Sequence, residues 1–122
     1  MKIENIKFKA KRLDGKGWAI GDFLHSYENG AIIVPIEGGG AFSVDHSTVC
    51  QYTGLKDCDG NELYEHDVIK NYPFIPSEIV WSEELSGYYL TNAKGKIYEK
   101  PLGYYISLGK FMVVGNKFDK EK

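Results

Sequence analysis

A chain of 122 residues with 43% hydrophobic and 26% charged side chains is long and apolar enough to bury a core, and fits one domain or a barrel with an appended part. Its net charge of -2 argues against a surface dominated by nucleic-acid contacts, and no apolar run approaches the ~18 residues of a membrane helix. Nine Tyr, six Phe and fourteen Gly suit short strands and tight turns better than a helical bundle. The charge is uneven: residues 1–16 and 94–122 are basic, residues 17–93 are acidic, and Arg12 is the sole arginine. One arginine weakens any case for bidentate recognition of phosphate or guanine.

In chain order, Lys2–Arg12 reads as a strand in which Ile6, Phe8 and Ala10 alternate with outward Lys7, Lys9 and Lys11. Leu13–Gly17 is a turn, Trp18–Tyr27 a second strand, and Glu28-Asn29-Gly30 another turn. Ala31–Ile36 is a strand whose far end Pro35 demotes to an edge. Gly38-Gly39-Gly40 is a loop and not a phosphate cradle, since no Gly-Lys-Ser/Thr follows. Ala41–Val44 is a short strand, and polar Asp45–Thr48 marks a boundary.

The most informative stretch then opens. Thr48–Thr53 is a strand that Gly54 can end with positive φ, Asp57–Asn61 is a turn with Gly60 in its left-handed position, and Leu63–His66 is extended or a single helical turn. Asp67–Asn71 is a strand, and Asp67 can accept hydrogen bonds from the turn backbone before it. Tyr72–Ser77 is an irregular loop. Glu78–Ser82 and Tyr88–Asn92 form a hairpin, Lys94-Gly95-Lys96 starts a turn, and Ile97–Leu108 is broken by Pro101 and Gly103. Phe111–Asn116 is the closing strand before a charged tail, 117–122. Strands this short, with turns every eight to twelve residues, predict an all-β barrel or sandwich.

The residues Tyr52-Thr53-Gly54-Leu55, Asp57, Gly60, Leu63-Tyr64-Glu65 and Asp67-Val68-Ile69 resemble the hallmark of the YopX family of phage and prophage proteins. Trp81, Gly87-Tyr88, Met112-Val113-Val114-Gly115-Asn116 and the opening Ile6–Ala10 are similar to its other strands. The resemblance implies an SH3-like small β-barrel over 49–116 with a β-rich N-terminal part over 1–48, and it transfers no catalytic residue. The family usually has glycine between the Glu and Asp of the elbow, where this chain has His66. That position therefore either tolerates negative φ here or carries strain.

Chemistry in the same stretch mostly fails on spacing. Asp57, Asp59 and Asn61 match three positions of a calcium loop, but Glu62 stands where glycine is needed and Val68 where the closing glutamate is needed. His46, Cys50, Cys58 and His66 are zinc-type ligands without the short Cys–Cys spacing of structural zinc sites. Whether those four approach one another in space is open at this level. Asp45-His46-Ser47 are sequence neighbours, which is not how a nucleophilic triad converges. The expectation is a non-enzymatic protein with no catalytic, cofactor-binding or metal-binding residue and no cofactor. It is cytoplasmic, with reduced thiols, because no apolar signal segment follows Met1-Lys2-Ile3-Glu4. Its partner is a second copy or another protein, with nucleic acid as the alternative, since Lys7, Lys9, Lys11 and Arg12 lie near Phe8 and Trp18. No membrane partner is expected.

Overall fold

The computed structural model describes residues 2–26, 30–71 and 76–119. The chain is all-β at the level of class: the described strand pairings are antiparallel, and one short helix interrupts them. It divides into two compact units, Met1–Tyr52 and Thr53–Glu121.

In the first unit β1 (Phe8–Lys11), β2 (Trp18–Ser26), β3 (Gly30–Val34), β4 (Phe42–Ser43) and the start of β5 (Cys50–Lys56) are ordered β4-β3-β2-β1-β5. The register pairs Ala10 with Ala19 and Phe23 with Ile33, which puts odd positions of β2 on one face. That face holds the buried Ala10, Ala19, Ala31, Ile33 and Val44. The small residues there let the backbone come close. At Gly21 an added Cβ would lie 2.2 Å from the Val34 carbonyl oxygen, so only glycine fits. The expected strand over Lys2–Arg12 is shorter than predicted. Ile3–Asn5 form a 3-10 turn closed by the Ile6 N–H to Ile3 O bond, because exposed Ile3 has no sheet neighbour to satisfy its backbone. His46–Thr48 is also a 3-10 turn, capped by Asp45, whose carboxylate accepts from the Ser47 N–H. The expected turn at Glu28-Asn29 and Tyr27, the expected end of the second strand, lie outside the described residues.

In the second unit the far half of β5 neighbours β6 (Glu62–Tyr64). A four-stranded sheet is ordered β10-β7-β8-β9, from β7 (Asp67–Lys70), β8 (Ser77–Ser82), β9 (Gly87–Thr91) and β10 (Met112–Asn116). Gly54 has φ 86 yet does not end its strand, since β5 runs on to Lys56. The Thr53 hydroxyl donates to Leu63 O and accepts from the Leu55 N–H, carrying the pairing past the kink. Leu63, Ile69, Ile79, Leu90, Leu102 and Phe111 form the core. Each such side chain contributes roughly 1.5–3 kcal/mol on burial.

Helix α1 (Leu102–Ile106) occupies the stretch expected only to be broken. Pro101 starts it without losing a needed N–H, Leu102 anchors it in the core, and the Ser107 N–H closes it onto Gly103 O. Tyr105 then packs edge-on against Tyr98 and Phe111. Most of the Tyr72–Ser77 loop lies outside the described residues, and Ser77 already belongs to β8. Among the described residues the strands of this unit do not close into a complete barrel. No described helix is long and apolar enough to cross a membrane.

Candidate functional site

The elbow between β5 and β7 is built on two buried carboxylates. Asp57 Oδ1 accepts the N–H groups of Asp59 and Asn61 at 2.9 and 2.8 Å, and Oδ2 accepts the Asn61 side-chain amide and the Val113 N–H, both at 3.0 Å. Burial pushes this carboxyl up, but the bonds from Val113, Asn61 and Asp59 outweigh it and hold it below the ordinary carboxylate range. Asp57 accepts both turn N–H bonds, and Asn61 serves it as a donor.

Asp67 is 1% exposed. Its Oδ2 accepts the Tyr64 N–H and its Oδ1 the Asn116 side-chain amide, each at 2.8 Å. Asn116 in turn accepts the Phe118 N–H, and its own N–H goes to Asp119. The first tail residues are thus part of the elbow's support.

His66 has φ 70, so the glycine-like conformation persists without glycine. Its N–H donates to Ile79 O, and its carbonyl accepts from Lys117. With both sides pinned, the left-handed conformation is imposed from outside. The ring partly offsets the strain: Nδ1 lies 2.7 Å from Glu78 Oε2, Nε2 lies 3.6 Å from Glu65, and Phe118 packs edge-on at 5.3 Å. We expect His66→Ala to be less stable than His66→Gly by about 1 kcal/mol, because both variants lose the carboxylate contact and only alanine keeps the left-handed penalty. Urea melts of the two variants check this, and alanine matching glycine would refute the strained elbow.

The zinc-type residues do not assemble. Cys50 is buried with its thiol on Thr48 O, Cys58 is exposed on the turn, and both are free thiols. Among the described residues no three His, Cys, Asp or Glu side chains are grouped to hold a metal. The adjacent Asp45 and Ser47 bond to each other, and this Ser47 hydroxyl, ahead of its N–H, keeps the Asp45 carboxyl below its usual range.

Three cations in and beside β1 are engaged with aromatic rings. Lys7 lies over Tyr52 at 5.0 Å, Lys9 over Trp18 at 4.7 Å, and Arg12 over Phe42 at 4.0 Å while also pairing with Asp14. Lys7 and Lys9 share the outward face of the first unit's sheet with Ile20, Leu24 and Val34, whereas Arg12 bridges to Val44 on the core side, and Leu24 is 54% exposed. Sequence reading missed this apolar face. The available signal was adjacent apolar residues of both parities, Ala19-Ile20, Phe23-Leu24 and Ile32-Ile33, which fill both faces of a strand at once.

A two-unit chain whose described strand pairings are antiparallel and whose elbow holds two buried carboxylates is a small β-rich protein in which, among the described residues, no three His, Cys, Asp or Glu side chains are grouped to hold a metal. The model of the YopX protein family matches residues 8–121, and the chain belongs to that family. No curated protein matches it.

Proposed function

We propose that this YopX-family chain is a non-enzymatic accessory protein of phage or prophage type that works in the host cytoplasm through protein–protein contact. The observation that carries the reading is the outward sheet face of the first unit, where Ile20 stands exposed opposite Lys9, Val34 opposite Asp22, and Leu24 beside them. Exposed aliphatic side chains sharing one sheet face are the usual mark of a docking surface. The SH3-type reading of the second unit rests on the family, and on the β5–β6 turn reaching β10 at Val113 through Asp57 and the residue before β10 through the Cys58 N–H to Phe111 O bond.

Nucleic acid is the second reading, favoured by Lys7, Lys9 and Lys11 on that same face. It ranks lower because the cations already cover the ring faces of Tyr52 and Trp18, which stacked bases would need. Pull-down from host cells with and without nuclease separates the two. Capture of a protein that survives nuclease and is lost in Leu24→Asp supports the first, whereas capture abolished by nuclease supports the second.

A further inference from the structure

Two features of the second unit are complementary in charge and share an apolar centre. One is a groove of about 470 Å³ lined by Lys70, Asn71, Lys110, Met112 and Val114. Met112 stands opposite Lys70 in the ladder, and the bulge between Val113 and Gly115 leaves Val114 58% exposed. Among the described residues no acid lines the groove and neither lysine has an ion-pair partner.

The other feature is the tip of the β8–β9 hairpin, Glu83-Glu84-Leu85-Ser86. The Leu85 N–H donates to the Ser82 hydroxyl, and Ser86 has φ 53, so the turn is held in a defined shape. Leu85 is 53% exposed at its end, and Glu83 and Glu84 are likewise unpaired among the described residues.

Tip and groove do not meet within one chain. Ile69 pairs with Ser77, so the Lys70 end of β7 lies beside the start of β8, whereas the tip follows the end of β8. The groove is on the β10–β7 side of the sheet and the tip joins β8 to β9. We propose that the tip of one copy docks in the groove of a second copy. Leu85 covers Met112 and Val114, and Glu83 and Glu84 face Lys70 and Lys110. Such a contact joins two different surfaces: seated reciprocally it closes a two-fold dimer, and seated head to tail it builds rings or filaments. Its small area makes it concentration-dependent, and its exposed charges make it weaken with salt.

Sedimentation velocity of the full chain over rising concentration tests this. Wild type is expected to sediment above monomer, more so at low salt. Lys70→Glu with Lys110→Glu, or Glu83→Lys with Glu84→Lys, is expected to weaken association at least tenfold; ~1.4 kcal/mol corresponds to each factor of ten. Leu85→Asp, at an exposed tip, does the same without touching the groove. Mixing the two charge-reversed variants restores association, because each then meets its complement, and restoration also shows that both are folded. A monomeric wild type, association indifferent to both reversals, or no recovery on mixing overturns the proposal. The contact lies apart from the outward face of the first unit. Leu24→Asp leaves self-association intact, and a monomeric wild type that still captures a host protein leaves the contact reading above standing.

Discussion

Replacing Asp67 with alanine is expected to cost about 3–5 kcal/mol, a large part of the stability of a domain this size. The carboxylate is fully buried and bridges the Tyr64 N–H on β6 to the Asn116 amide on β10. Alanine leaves both donors buried without that acceptor, and each orphaned donor costs about 1–3 kcal/mol. The double-mutant cycle with Asn116→Ala sharpens the test. Once the amide is gone, loss of the carboxylate orphans one donor fewer, so the double variant falls short of the sum of the singles by about 1–2 kcal/mol. Chemical denaturation of the four proteins measures this, and strict additivity would break the proposed bridge.

Asp57→Ala is the second large effect, about 2–4 kcal/mol, from four N–H donors that lose one charged acceptor. The loss is smaller than at Asp67 because Asp59, Gly60 and Asn61 are exposed and water replaces part of it. Its pH dependence is diagnostic. The folded-state carboxyl sits below its unfolded value, so its contribution is complete above the unfolded pKa, about 3.9. It fades as pH falls through the lower folded value. Wild type therefore loses stability on acidification below about pH 4 more steeply than Asp57→Ala. Parallel pH profiles for the two proteins would count against the role given to this group.

Much of the second unit was legible from residue chemistry. The Asp57–Asn61 turn, the acceptor role of Asp67 and the β8–β9 hairpin follow from turn residues and alternation. What escaped was set by distant partners. His66 carries no local mark of left-handed backbone; the conformation is imposed by Ile79 and Lys117, and the family's usual glycine was the sole hint. Helix α1 is five residues long, too short to show a period, and depends on the single anchor Leu102. Gly54 was read as a terminator because its φ is local, whereas the continuation of β5 depends on Thr53 reaching Leu63. The docking groove was illegible in principle, since Lys70 and Asn71 meet Lys110, Met112 and Val114 only through the β7–β10 register and its bulge.

Both elbow carboxylates have a partner in β10. Asp57 reaches Val113 across 56 residues and Asp67 reaches Asn116 across 49. During synthesis the elbow is made long before either β10 partner leaves the ribosome, so a nascent chain halted ahead of Val113 carries two acids that hold only their local donors from the turn. The second unit therefore locks late and in one step, with β10 as the bolt, and ribosome-stalled chains should turn protease-resistant abruptly once Asn116 has cleared the exit tunnel.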